Sequence, residues 1–155
     1  PIFKKNNLNN IVNRAINLHE LSESSIKFTY PSNKNPTYIN CDQEQINRVL
    51  INLLKNSIES INEKKHKNPD FKGKINVDIV EDSDYIYLTL EDNGVGFDKV
   101  NKDKMVNPYF TTKTKGTGLG LAIVTKIISD HNSLITFSST QDGAKVEITL
   151  PKKYE

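Results

Sequence analysis

Glycine placement constrains this chain more than any other feature of its sequence. Of seven glycines, five fall in two hexapeptides, Asp92-Asn93-Gly94-Val95-Gly96-Phe97 and Gly116-Thr117-Gly118-Leu119-Gly120-Leu121. Glycine lets backbone approach a neighbour closely and accepts positive φ, at an entropic cost. Clustering it twice marks two points where main chain meets something bulky. The second cluster runs straight into Leu121-Ala122-Ile123-Val124-Thr125-Lys126-Ile127-Ile128, a strong helical pattern. Glycines that open a helix make an anion site, because the first N–H groups and the positive end of the helix dipole face the ligand.

The rest of the chain supplies elements around these two points. Residues 7 to 18 carry Leu8, Ile11, Val12, Ala15 and Ile16 at helical spacing, with Asn6 or Asn7 as the cap. Ile26 to Tyr30 alternates and stops at Pro31, a strand, and Tyr38 to Cys41 reads as a second short strand. Asp42 caps a long helix holding Ile46, Val49, Leu50, Leu53, Leu54, Ile58 and Ile61. Glu63 to Lys72, polar and with Pro69, reads as an exposed loop. Lys74 to Glu81 and Tyr85 to Glu91 form a hairpin around Asp82-Ser83-Asp84. A polar loop over 98–115 precedes a helix from Thr117 to about Asp130, then strands over Leu134–Ser138 and Lys145–Leu150 with a turn at Gly143. Helices spaced between pairs of strands predict an α/β fold. It is a two-layer sandwich, a mixed sheet of about five strands with three main helices on one face. Strand–helix alternation with an early glycine turn, the mark of a doubly wound nucleotide fold, is missing.

The 155 residues suffice for one domain, 1–155, and a start at Pro1 reads as a fragment of a longer chain. A net charge of +2 gives no argument for nucleic acid or an anionic membrane surface. Cys41 is single, which fits a reducing compartment, and neither a span of about 20 apolar residues nor a signal peptide is visible. A cytoplasmic domain without direct membrane contact is the expectation.

Arg48, Asn52 and Asn56 recur every fourth residue and share one face of the long helix. Uncharged amides there have two readings: a solvated face, or a hard oxygen ligand for Mg²⁺, which takes one or two protein oxygens beside phosphates and water. Asp92 likewise is either a turn starter or a carboxylate that accepts from the exocyclic amine of adenine, a donor guanine lacks. The second glycine cluster suits a triphosphate. Gly116-x-Gly118-x-x-Leu121 lacks the third glycine of a dinucleotide fingerprint, and no Gly-Lys-Ser/Thr of a P-loop is present. Just before it, Phe110-Thr111-Thr112-Lys113-Thr114-Lys115 offers hydroxyls and two cations. The loop 98–115, with five lysines and two aspartates, suits a basic cover over phosphates.

Four stretches together carry a family resemblance. Gln45-x-x-Arg48-Val49-Leu50-x-Asn52-Leu53-Leu54-x-Asn56 resembles the N box of sensor histidine kinases, and Asp92-x-Gly94-x-Gly96 their G1 box. Pro108-Tyr109-Phe110-Thr111-Thr112-Lys113 resembles the F box, and Gly116-x-Gly118-Leu119-Gly120-Leu121 the G2 box. They stand in the family's order over nearly the whole chain. The chain is similar to the catalytic ATP-binding domain of the GHKL superfamily, with the Bergerat sandwich, and most like nitrogen-regulation sensors of the NtrY/NtrB type.

The resemblance implies a histidine kinase catalytic domain of a two-component system. It would use ATP and Mg²⁺ to phosphorylate a histidine on a separate dimerisation domain of the same protein, with a response regulator downstream and a parent that an inner-membrane anchor would suit. It implies Asn56 as the Mg²⁺ ligand, Asp92 as adenine reader, and Gly94 and Gly96 along the base. Gly116, Gly118 and Gly120 would give the phosphates room and N–H donors, and Lys113 is a candidate phosphate contact. Asn52, Phe110, Thr112, Thr117, Leu119 and Leu121 complete the implied nucleotide site. Departures are His131-Asn132-Ser133 for a frequent His-Gly-Gly, where altered turns are expected, a glycine-poor Asp142-Gly143-Ala144-Lys145, and Glu59 where many members have Lys. His19-Glu20-Leu21 lacks the proline of a phosphoacceptor motif, so His19 reads as an ordinary helix-end residue, and His131 as a complement to a helix dipole. A GHKL-type ATPase, an anti-sigma-factor-like serine kinase and a non-catalytic nucleotide-binding module remain the alternatives.

Overall fold

A computed structural model describes residues 1–30, 35–97 and 119–152. Their order is β1 (Lys4–Asn7), α1 (Leu8–Ser22), β2 (Ile26–Thr29), β3 (Tyr38–Cys41), α2 (Gln43–Lys67), β4 (Gly73–Glu81), β5 (Tyr85–Asp92), α3 (Leu119–Asp130), β6 (Leu134–Ser139) and β7 (Ala144–Pro151). Five strands form one mixed sheet in the order β2-β4-β5-β7-β6. Only β2 and β4 run parallel among these neighbours; the other pairs are antiparallel. The expected two-layer sandwich is borne out, with α1, α2 and α3 packed on the sheet.

Period-two alternation aims the sheet's apolar side chains at the helices. Ile75, Val77 and Ile79 of β4 stand beside Ile86, Leu88 and Leu90 of β5 and Val146, Ile148 and Leu150 of β7, all buried. Leu50, Leu53, Leu54 and Ile61 of α2 and Leu8, Val12 and Ile16 of α1 close over them. Asn7 caps α1 by accepting Asn9 N–H at 3.1 Å, and Asp42 caps α2 by accepting Gln45 N–H at 3.1 Å.

One local expectation is corrected, and two features were not read at all. First, α2 does not stop before Glu63 but runs to Lys67. Its last turns have no apolar period, with Asn62, Glu63, His66 and Lys67 exposed, and the basic run Lys64, Lys65, His66 and Lys67 suits the negative end of the helix dipole. Second, β1 was not legible: Lys4-Lys5-Asn6-Asn7 has no apolar alternation and is a strand only because it pairs antiparallel with β3. Third, β2 and β3 are not neighbours; β2 joins the main sheet beside β4, and β3 forms a two-stranded ribbon with β1.

Candidate functional site

Asp92 is where the apolar row of β5 ends. Ile86, Leu88, Leu90 and Asp92 share the helix-facing side, so the alternation that builds the core also aims a carboxylate inward. Asp92 is 8% exposed, and its Oδ1 accepts Gly94 N–H at 2.9 Å. The neighbouring Asn93 stitches the same turn to the start of β4: Oδ1 accepts Lys74 N–H at 2.7 Å and Nδ2 donates to the Lys72 carbonyl at 2.9 Å.

The glycines of this turn serve the protein's own packing. A methyl on Gly94 would lie 2.3 Å from Ser60 Oγ and 2.7 Å from the Ser60 carbonyl carbon, so the turn rests directly on α2. Gly96 has φ +78°, and a methyl there would lie 2.9 Å from the Gly143 carbonyl oxygen. Gly143 in turn sits against the main chain of Asp92, where a methyl would come to 2.1 Å from its carbonyl oxygen. The bulky neighbours inferred for the first glycine cluster are therefore α2 on one side and the β6–β7 turn on the other. Beyond the turn, Phe97 N–H donates to Ser139 Oγ at 3.1 Å, Ser139 Oγ–H donates to the Phe97 carbonyl at 2.8 Å, and the Phe97 ring stands edge-on to Phe137 at 5.8 Å.

The fourfold row on α2 continues past the three residues recognised in the sequence: Arg48, Asn52, Asn56, Ser60 and Lys64. Its far end holds the Asp92 turn. Ser60 Oγ accepts Val95 N–H at 2.9 Å, and Lys64 Nζ donates to the Asn93 carbonyl at 3.2 Å and the Asp142 carbonyl at 3.5 Å. Its near end meets α3. Asn52 Nδ2 donates to the Arg48 carbonyl at 3.0 Å, and a methyl on Gly120 would lie 3.4 Å from Asn52 Oδ1. Asn56 lies between, one turn from each, half-buried. From Asn52 to Ser60 is eight residues, about 12 Å of helix. Asp92, Asn56, Asn52 and Gly120 are thus brought along one side of one rigid element. Ser60 and Lys64 were missed in the sequence, although the fourfold spacing pointed at both.

At its other end α3 closes in a Schellman turn. Ser133 N–H bonds to the Ile128 carbonyl and Asn132 N–H to the Ser129 carbonyl, both at 3.0 Å, with Asn132 at φ +52°. Asn takes the left-handed position that glycine usually fills, so the turn is not altered as expected. His131 does more than complement the dipole. It is 1% exposed, its Nδ1–H donates to the Ile127 carbonyl at 2.8 Å, and its Nε2 accepts Asp42 N–H at 3.1 Å. That pairing selects the neutral tautomer protonated on Nδ1 and ties the end of α3 to the N-cap of α2. His19 behaves as read: Nδ1–H donates to the Ala15 carbonyl at 2.8 Å, one turn back. Burial pushes the Cys41 thiol up to about 11, so it is not a thiolate at neutral pH.

Phe110, Thr112, Lys113, Gly116, Thr117 and Gly118 lie outside the described residues, as does the basic loop 98–115. Leu119, Gly120 and Leu121 form the first turn of α3. Among the described residues no three His, Cys, Asp or Glu side chains gather around a point that could hold a metal ion. A single amide oxygen from Asn56 suits a Mg²⁺ ion whose other ligands are phosphate and water.

A family model described as histidine kinase-, DNA gyrase B- and HSP90-like ATPase matches residues 41–154. The chain is 37% identical over 154 residues to an NtrY-like sensor histidine kinase of Rickettsia prowazekii, covering 99% of this chain and 25% of that protein. It superimposes on the nucleotide-free catalytic domain of histidine kinase ThkA with a TM-score of 0.84 at 30% identity, over 97% of this chain and 95% of that one. A second ThkA structure, in complex with response regulator protein TrrA, matches with a TM-score of 0.80 at 26% identity, over 97% of this chain and 42% of that one. The chain spans about a quarter of the length of the NtrY-like relatives it matches over 99% of its length.

Proposed function

The chain belongs to the histidine kinase-, DNA gyrase B- and HSP90-like ATPase family, and from that premise we propose that it is the catalytic ATP-binding unit of a sensor histidine kinase. It binds ATP with Mg²⁺ and presents the γ-phosphate to a histidine on a dimerisation domain of the same protein. That histidine then serves a response regulator, the kind of partner named in the ThkA–TrrA structure. Mg²⁺, when bound, would neutralise phosphate charge, and by the family pattern Asn56 would be the residue that holds it through its amide oxygen. Asp92 accepts from the adenine amine, with its carboxylate oriented by Gly94 N–H. Gly94 and Gly96 border the base by the family pattern. Leu119, Gly120 and Leu121 supply the first turn of α3, whose leading N–H groups suit phosphate oxygens, and Gly116, Thr117 and Gly118 belong to the same site by the family pattern. Phe110, Thr112 and Lys113 belong to the same site by the family pattern, Lys113 as a phosphate contact.

Position 52 carries the choice of phosphoryl transfer over hydrolysis. The hydrolysing members of the superfamily use a Glu one helical turn before the Mg²⁺ asparagine as general base. Here that residue is Asn52, whose amide takes no proton at neutral pH and whose Nδ2 is committed to the Arg48 carbonyl at 3.0 Å. A kinase lacks that need, because its nucleophile is the partner imidazole.

The test compares phosphate release by the isolated domain with radiolabel transfer to a supplied phosphoacceptor hairpin. Labelled histidine with slow release is expected. Release at about 1 per second or faster without the hairpin, in the ordinary enzyme range, points to an ATPase instead. Tight ATP binding with no labelled histidine points to a binding module, and a labelled serine on a partner protein to the anti-sigma-factor type.

A further inference from the structure

We propose that Ser60 and Lys64 are positioning residues that set the nucleobase preference of the site from α2, by fixing the direction of the Asp92 carboxylate. The inference rests on the reading of Asp92 as the adenine reader.

Three consecutive residues after Asp92 are held by these two side chains. Lys64 Nζ donates to the Asn93 carbonyl at 3.2 Å. The Gly94 α-carbon rests on Ser60, so closely that an added methyl would meet Ser60 Oγ, Cβ and carbonyl carbon at 2.3, 2.8 and 2.7 Å. Val95 N–H donates to Ser60 Oγ at 2.9 Å. Gly94 N–H is in turn the donor that holds Asp92 Oδ1, at 2.9 Å. A shift of the turn away from α2 therefore moves that donor and swings the carboxylate with it.

The opposite side is closed by the same lysine. Lys64 Nζ also donates to the Asp142 carbonyl at 3.5 Å, and the neighbouring Gly143 packs on the main chain of Asp92. Its ammonium lies 4.7 Å from the centre of the Phe71 ring, which holds the side chain down on the end of α2. The base reader is thus clamped between α2 and the β6–β7 turn, with Lys64 of α2 bonded both to the Asp92 turn and to the β6–β7 turn. The same helical face carries Asn56 one turn before Ser60. Base recognition and metal ligation are spaced by one rigid helix, so they can be perturbed separately.

A merely structural anchor would lower stability and leave the choice of base alone. The discriminating readout is the ratio of ATP to GTP affinity by calorimetry, with Mg-tripolyphosphate as a ligand that has no base. Ser60→Ala removes the acceptor of Val95 N–H; Lys64→Met keeps an apolar stem over Phe71 and removes the donor. Each is expected to weaken ATP about fivefold, the weight of one hydrogen bond. GTP and Mg-tripolyphosphate should be unchanged, so the ATP/GTP ratio falls by the same factor. Lys64→Arg should restore it. The double variant should lose less than the product of the two single losses, because both act through one turn. An unchanged ATP/GTP ratio in both single variants, with the wild type preferring ATP, overturns this inference and leaves the base-reader reading standing. A wild type that binds ATP and GTP equally overturns both.

Discussion

Replacing Gly94 by Ala is the sharpest test of how this site is assembled. The added carbon would lie 2.3 Å from Ser60 Oγ, 2.8 Å from Ser60 Cβ and 2.7 Å from its carbonyl carbon. A hydroxyl could rotate away, but the last of these atoms is main chain in the interior of the 25-residue helix α2. The turn must therefore lift off α2, breaking the Val95 N–H bond to Ser60 Oγ and disturbing the Gly94 N–H bond to Asp92. Forcing a carbon into a packed interior costs roughly 1–3 kcal/mol, and an unyielding backbone neighbour puts Gly94→Ala near about 3 kcal/mol. For a domain of this size that lowers the melting temperature by roughly 6–12 °C. Gly120→Ala is the matched control. Its added carbon meets Asn52 Oδ1 at 3.4 Å, an ordinary contact, and the site is helical. It should be neutral or gain up to about 1 kcal/mol of helix propensity. Urea unfolding of both variants measures the two effects on one scale. A Gly94→Ala loss below about 1 kcal/mol, no more than an average point substitution, would refute the packing argument. Equal losses in the two variants would refute it as well, since the added carbon is crowded by main chain at Gly94 and only touched at Gly120.

Asp92→Asn keeps an oxygen for Gly94 N–H but removes the charge proposed to accept from adenine; calorimetry should show ATP weakened about tenfold or more, as for a hydrogen bond to a charged group, with GTP little changed. Asn132→Gly should stabilise by about 0.5 kcal/mol and Asn132→Ala destabilise by about 1 kcal/mol, because φ there is +52° and only glycine adopts it without cost; equal urea midpoints would contradict this. Asp42 is held below the ordinary carboxylate range, chiefly by Ile2 N–H, with Gln45 and Glu44 N–H adding to it against the opposing effect of burial. A depressed carboxylate contributes stability that is present above its unfolded value, about 3.9, and is lost as pH falls through the lower folded value. Unfolding midpoints across that acid window should therefore fall more steeply for the wild type than for Asp42→Asn, and equal slopes would sink the assignment.

The sequence by itself determined the elements whose information is local. Period-two alternation placed β4, β5 and β7, helical period and caps placed α1 and the first turns of α2, and the turn residues Asp82 and Gly143 marked two hairpins. Asp92 was legible for the same reason: it continues the row Ile86, Leu88, Leu90, so its inward aim follows from the pleat. Family membership was legible because four boxes stand in order. What only the tertiary structure decided is everything made by residues distant in the chain. β1 has no pattern of its own and exists through β3; α2 outlasts its apolar period where Lys64 reaches the carbonyls of Asn93 and Asp142. His131 looked like a dipole partner until its Nε2 met the N–H of Asp42, 89 residues earlier. The glycines show the division most plainly. Their clustering announced that backbone is approached closely at Gly94 and Gly96, but composition cannot say by what. The answer, Ser60 on one side and Gly143 on the other, depends on how a helix and a hairpin pack across the sheet, and no local propensity encodes that distance.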